Sequence, residues 1–296
     1  MSGTLDRLSA WVSKIPKGLV TAFQSDKPPV LFLGSGLGRE AVPSLKTGND
    51  LCEDLTRELG VLSTSTNLPE LLQYLKNQEA GSDRPVRNWL ETSLLHRGVK
   101  TAEPGGAHFL TLALPSRRIL TTNFDLLLDR AASIALPASD WFATSSCETY
   151  DRYSREAPRT AFVCGKIHGS FHPAEVTDIV ATTDDYIDAY QSSPWREWLR
   201  QHIRTERIVF VGYSLRDFTT WTSYFSSILD FRRETWPHSL VAPSQCQHEL
   251  KFWINYNIQY VPLKAHEFLI ATHQLLVQQV VPGGRGVAGQ AALRLA

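Results

Sequence analysis

The chain has 296 residues, 43% hydrophobic and 20% charged, enough to bury the core of one α/β domain with an insertion or of two small domains. Its formal net charge of zero gives no global attraction to nucleic acid or to an anionic membrane. No secretory leader and no bilayer-length apolar run can be read, so a soluble cytoplasmic protein is the expectation.

Leu5, Leu8, Val12, Ile15, Leu19 and Phe23 recur at helical spacing, interrupted by Pro16 and Gly18. They predict a broken amphipathic helix that docks on the chain's own core or on a partner. Val30-Leu31-Phe32-Leu33 predicts a buried strand that runs into Gly34-Ser35-Gly36-Leu37-Gly38. Glycines there allow a tight turn and let a phosphate approach the amides of a following helix. The G-x-G-x-G spacing differs from the dinucleotide fingerprint, so a plain strand-to-helix turn fits as well. From 48 to 115 no strand-like alternation occurs. Asn49-Asp50, Asn67 to Glu70 and Asp83 with Pro85 supply helix starts, and 108–114 fits a fourth helix. We read this stretch as a helical module inserted after the first strand.

The run Ile119-Leu120-Thr121-Thr122-Asn123-Phe124-Asp125 is apolar until it stops at two hydroxyls, an amide and a carboxylate. Open α/β sheets bind ligands beyond the carboxyl ends of their parallel strands, which makes Asn123 and Asp125 candidates to reach a substrate. The competing reading is that Asn123 caps the next helix and Asp125 supports its first turn. Strands are predicted at 141–144 and 160–164, the second ending in Gly165-Lys166-Ile167-His168-Gly169-Ser170. A histidine between a strand and a Gly-Ser turn, exposed to the crevice, titrates near neutrality and suits a general base; the alternative is a solvated loop histidine. His172 follows four residues on, but outside a clear helix that spacing is poor support for a metal.

Residues 176–181 predict a further strand, and Thr182-Thr183-Asp184-Asp185 a cap for the helix carrying Tyr186, Ile187 and Tyr190. An amphipathic helix at 195–204 precedes a buried strand at 207–211, which runs into Gly212-Tyr213-Ser214-Leu215-Arg216-Asp217. Strands at 239–242 and 258–263, a helix at 265–280 and a linker-like tail at 282–296 complete the chain. Cys52, Cys147, Cys164 and Cys246 are far apart and form no C-x-x-C pair, so neither a zinc module nor a disulfide framework is encoded.

Four segments in order, Leu31 to Gly36, Thr121 to Asp125, Lys166 to Ser170 and Val211 to Asp217, resemble the SIR2-like (sirtuin-related) family, in particular its bacterial anti-phage NADase branch. The resemblance implies a Rossmann-like, mostly parallel sheet with helices on both faces and the inserted helical module at about 48–115. The NAD-binding hydrolase domain would span 28–281, between an N-terminal helical segment at 1–27 and the tail. It implies that Gly34, Ser35 and Gly36 meet the pyrophosphate of NAD+. Asn123 and Asp125 would face the nicotinamide ribose and carboxamide, with Thr122 among the cofactor-binding residues, and His168 would be the catalytic histidine. Gly212 and Ser214 would contact ribose or phosphate, and Asp217 would lie near the adenosine end. The segment after the glycines is one residue shorter than the usual family run, and the paired cysteines of protein-deacylating sirtuins are absent. The expectation is therefore metal-free hydrolysis of NAD+ to ADP-ribose and nicotinamide, with activity controlled by homo-oligomerisation or by a regulatory partner or domain. The rivals are a catalytically silent NAD or nucleotide sensor, a deacylase, and a serine hydrolase built on Ser214, His168 and Asp217. The last conflicts with Arg216, where a nucleophile elbow needs glycine, and with the chain order of serine and histidine.

Overall fold

The computed structural model describes residues 2–41, 45–46, 48–60, 67–78, 82–93, 103–171, 179–213, 237–243 and 253–280. Its frame is a seven-stranded parallel sheet of β1 (Val30–Leu33), β2 (Arg118–Thr121), β3 (Trp141–Thr144), β4 (Phe162–Lys166), β5 (Ile208–Val211), β6 (His238–Val241) and β7 (Ile258–Val261). The order across the sheet is β3-β4-β2-β1-β5-β6-β7, and all six pairings are parallel. The chain builds outward from β1 on one side, then returns to β1 and builds outward through β5. That reversal makes the gap beyond the carboxyl ends of β1 and β5 the topological switch point of a Rossmann-like α/β fold.

The two central strands at the switch point, β1 and β5, are apolar and buried along their length because both faces are covered. Leu31, Leu33, Val209 and Val211 point to one face, where Leu19 and Phe23 of α2 (Lys17–Phe23), Leu37 of α3 (Ser35–Ala41), Leu112 of α7 (Gly106–Ala113), Ala131 of α8 (Leu127–Ala135) and Phe268 of α12 (Ala265–Val280) meet them. Phe32 and Phe210 point to the other, against Tyr150 of α9 (Cys147–Glu156) and Trp195, Trp198 and Leu199 of α11 (Pro194–Thr205). α1 (Ser2–Val12) is separated from α2 by a break at Pro16 and packs on α12, with Trp11 edge-on to His266. The amphipathic N-terminal segment thus docks on its own domain.

A third, smaller core lies apart. Leu51 and Leu55 of α4 (Gly48–Leu59), Leu71 and Leu72 of α5 (Leu68–Gln78), and Val86 and Leu90 of α6 (Arg84–Glu91) pack with Phe171, Ala181, Phe124 and Ile179. α10 (Thr183–Ser192) joins them, its capping box formed by Thr182 and Asp185 as its sequence indicates. The helical module therefore sits over the turns that follow β2 and β4.

Three details differ from the sequence reading. α7, grouped there with the insertion, belongs to the layer covering the sheet, packed on α3, α8 and α12. β4 begins and ends two residues later than expected, taking Gly165 and Lys166 into the ladder opposite Leu120 and Thr121. Gly165 is no strand terminator: a Cβ there would come within 2.5 Å of Trp195, so the glycine admits a tryptophan against the sheet. Of the strand expected at 176–181, the part at 172–178 lies outside the described residues and 179–181 is not strand. Ile179 and Ala181 are apolar because they serve the helical module's core. The tail at 282–296 also lies outside the described residues.

Candidate functional site

The carboxyl ends of β1 and β2 are tied together by Thr121. Its hydroxyl donates to the Leu33 carbonyl at 3.0 Å and accepts from the Asn123 amide at 3.0 Å, which closes the turn that lifts Asn123 off the sheet. Asp125 follows, with Oδ1 accepting from the Leu127 amide at 3.0 Å. Asn123 does not cap the following helix, whose N-cap is Leu126 with no side-chain bond, whereas Asp125 supports its first turn, with its second oxygen on the side of α3, 3.8 Å from where a Cβ on Gly38 would stand.

Beneath this turn lies Lys166, the last residue of β4. Its buried ammonium donates to the Asp125 carbonyl at 2.9 Å and pairs with Asp129 at 2.6 Å, while Trp141 Nε1 donates to the other Asp129 oxygen at 3.2 Å. Burial opposes the lysine's charge. The Asp129 and Asp125 carboxylates more than offset it, so the ammonium titrates above its usual range. Burial pushes the neighbouring Cys164 thiol well above the usual range, with Asp129 adding to the shift, which leaves it un-ionised and unreactive.

A narrow cavity of about 10 Å³, near the space one water needs, is lined by Leu33, Leu37, Leu128 and Cys164 and by the polar groups of His108, Thr121, Asn123, Asp125 and Lys166. His108 comes from α7 and is only 2% exposed. Its Nδ1 accepts from the Gly105 amide at 3.2 Å, and burial lowers its pKa against the opposing pull of Asp125.

His168 is buried, 4% exposed, not open to solvent as its Gly-Ser surroundings suggest. Its ring lies 5.3 Å from Tyr186 of α10, edge-on, and 6.4 Å from Phe124, so the helical module forms its cover. The Val180 amide donates to its carbonyl at 3.1 Å, tying the segment after the β4 turn to the start of α10.

The glycine turn works differently from the expected phosphate cradle. α3 begins at Ser35, directly after β1. The Gly34 amide donates to Val211 O at 3.0 Å, the Gly36 amide to Gly212 O at 2.9 Å and the Leu37 amide to Gly34 O at 3.1 Å. A Cβ on Gly34 or Gly36 would lie 2.5 or 2.9 Å from the Gly212 carbonyl, and Gly212 itself has φ of 64°. These glycines let the ends of β1 and β5 interlock backbone to backbone at the switch point. Ser35 and Gly36 remain half-buried at its rim.

The structure thus brings Asn123 and Asp125 to one cavity, sets His168 on the adjoining turn, and places Thr122 within the same β2 turn. Gly34, Ser35, Gly36 and Gly212 form a second group at the β1–β5 junction. Ser214, Asp217 and His172 lie outside the described residues. Three participants escape the sequence reading. Lys166 was signalled by a charge closing a fully buried strand, Asp129 by a carboxylate on the apolar helix after Asp125, and His108 by standing three residues after Gly105, where a capping partner belongs. Among the described residues no group of three or more His, Cys, Asp or Glu side chains could hold a metal. Cys52, Cys147 and Cys164 lie in three different cores.

A larger cleft of about 580 Å³ opens at the opposite, amino end of β2 and β4, lined in part by Lys27, Arg117, Arg118, Arg155 and Arg159. Glu206 pairs with both Arg118 and Lys27, and Asp151 with Arg155. Size alone does not make it the site: it lies away from the carboxyl ends of the strands, where the polar side chains of the turns converge.

Residues 117–261 match the family described as SIR2-like domain. The chain is 26% identical over 190 residues to a protein named NAD(+) hydrolase ThsA from Enterococcus faecium, the match covering 63% of this chain and 37% of the relative. A protein of the same name from Acinetobacter baumannii (strain 532279) is also 26% identical over 190 residues, covering 63% and 36%. The matched region thus spans little more than a third of either curated relative. The matched residues 117–261, which contain the Asn123 and His168 turns and lie within the parallel sheet, are thus similar to a SIR2-like domain.

Proposed function

We propose that this chain cleaves NAD+ at the nicotinamide–ribose bond and hands the ribosyl carbon to water, releasing nicotinamide, ADP-ribose and a proton. The reading is carried by the convergence of Asn123, Asp125 and His108 on one cavity beyond the carboxyl ends of β1 and β2, in a SIR2-like domain whose relatives are named for NAD+ hydrolysis. Nicotinamide leaves a cationic pyridinium as a neutral molecule, taking the C1′–N electron pair with little need of an acid. The demand falls on orienting the ribose, steadying the positive charge that develops at C1′ and delivering water. In this reading the Asp125 carboxylate stands beside that charge, the Asn123 amide orients a ribose hydroxyl or the water, and His168 accepts the proton as the water oxygen bonds to C1′. Thr122, Ser35, Gly212, Ser214 and Asp217 hold the rest of the dinucleotide. Gly34 and Gly36 shape the pyrophosphate subsite by having no side chain, since their amides are already engaged.

Incubating the purified chain with NAD+ and following nicotinamide release tests the reading directly. The narrowness of the cavity favours one rival, a module that binds NAD+ without cleaving it. Saturable NAD+ binding with no nicotinamide release at any protein concentration would establish that rival. At the level of the cell we propose a NAD-depleting effector of anti-phage defence held in check by self-assembly or by a partner. This rests on the resemblance to that branch of the family. Loss of cellular NAD+ on infection, abolished by Asn123→Ala, is the expected result.

A further inference from the structure

We propose that His108 is a positioning residue for Asp125, holding its carboxylate in working orientation across the cavity that both residues line. The inference rests on the reading of NAD+ cleavage given above for its effect on rate, but not for its geometry. α7 starts after Gly105, and the Nδ1 of His108 accepts the Gly105 amide at 3.2 Å. A ring nitrogen that accepts a hydrogen bond carries no proton, so the neutral imidazole holds its proton on Nε2. Deep burial keeps the ring neutral, as the lowered pKa indicates. Nε2–H lies on the opposite edge of the ring from Gly105 and is the group His108 can offer to the cavity.

The other calls on Asp125 are already met. The Leu127 amide holds Oδ1, and Lys166 binds the Asp125 carbonyl with its charge balanced by Asp129. What remains is the second carboxylate oxygen, on the side of α3, against which α7 packs. The space between is about that of one water, across which an N–H donor orients a carboxylate directly or through a single bridging molecule. Closing the first turn of α7 does not by itself call for histidine, because glutamine or glutamate is the usual third-position partner. Histidine adds a second polar atom, a donor, at the far edge of the same side chain.

Two amide variants separate the roles. In His108→Gln the side-chain oxygen can accept the Gly105 amide while the NH2 still extends toward the cavity. In His108→Asn the oxygen can close the same turn, but the NH2 falls short. A positioning role leaves the Gln variant within a few-fold of wild type and lowers kcat of the Asn variant about 10- to 100-fold with KM little changed, as loss of a hydrogen bond to a charged group does. Equal rates in the two variants, or losses that simply follow their melting temperatures, would overturn the proposal. A second readout needs no turnover: histidine nitrogen NMR of the full chain should show His108 protonated on Nε2 only, with that resonance displaced by Asp125→Asn. A proton on Nδ1, or an Nε2 signal indifferent to Asp125→Asn, overturns it. Should the wild type release no nicotinamide, the proposed activity fails and the NMR result alone decides the role of His108.

Discussion

Asn123 and His168 carry the proposed chemistry from different surroundings, and their variants should differ accordingly. Asn123 is half-buried on a turn pinned through Thr121, whereas His168 is enclosed between Phe124 and Tyr186. Asn123→Ala is expected to abolish nicotinamide release with a melting temperature near wild type. His168→Ala should cost about 10²- to 10⁴-fold in rate, as removal of a general base does, and should also lower the melting temperature because it empties a packed position. Full stability in His168→Ala would show that the ring is not part of the packing. Lys166 poses the opposite case, a residue whose loss acts through the fold. Lys166→Met leaves Asp129 with a largely buried charge and no counter-ion, a change that costs on the order of 3 kcal/mol. Denaturant unfolding should register it, and restoring neutrality with Asp129→Asn in the same chain should recover part of the loss.

At the scale of elements, the junction of β1 with β5 depends on three glycines that touch one another's backbone. Gly34→Ala would set a methyl group within 2.5 Å of the Gly212 carbonyl and 2.6 Å of the Tyr213 Cα, neither of which can rotate away. We expect it to destabilise the chain severely or to splay β1 from β5. Gly36→Val also presses on Gly212, so lost NAD+ binding in that variant would report a displaced strand end as much as a filled phosphate site. Gly18 in α2 has open space around its missing Cβ. Gly18→Ala should be neutral or stabilise by about 0.5–1 kcal/mol through helix propensity and chain entropy. Thermal melts of Gly34→Ala and Gly18→Ala side by side would test whether close approach, and not glycine content, governs these turns.

For the whole molecule, acid stability should hinge on His238, buried between β5 and β6. Its Nδ1 accepts the Ile208 amide at 3.0 Å, so protonation would destroy a bond that joins two strands. Burial, helped by the nearby Arg207 charge, lowers its pKa to about 4. The folded pKa lies below the ordinary value of about 6.5, so this group's contribution is fully present above that value. It is lost as pH falls through about 4, a change on the order of 3 kcal/mol. Unfolding free energies measured down that range should fall accordingly, and His238→Asn should flatten the slope whatever it does to stability at neutral pH. The helical module has its own small core above the β2 and β4 turns. Its amides should exchange with solvent faster than those of the sheet, and NAD+ should slow them if the module closes over the nucleotide.

The sequence by itself determined the α/β frame, because apolar runs ending in polar or glycine turns mark strands covered on both faces, although it also offered a strand at 176–181 whose described part is not strand. It also marked Asn123, Asp125 and His168, since polar side chains at the ends of such runs have a direction: the carboxyl edge of a parallel sheet. Only the tertiary structure decided what the glycines do, because Gly34 and Gly212 are 178 residues apart and nothing local shows that their backbones meet. It also decided that His168 is enclosed, since its cover, Tyr186, arrives on a helix whose sequence shows only its cap. Lys166 with Asp129 and His108 with Asp125 stayed invisible for the same reason. Periodicity reports which face of an element is buried, and the partner of a buried charge is chosen by whichever element packs against that face.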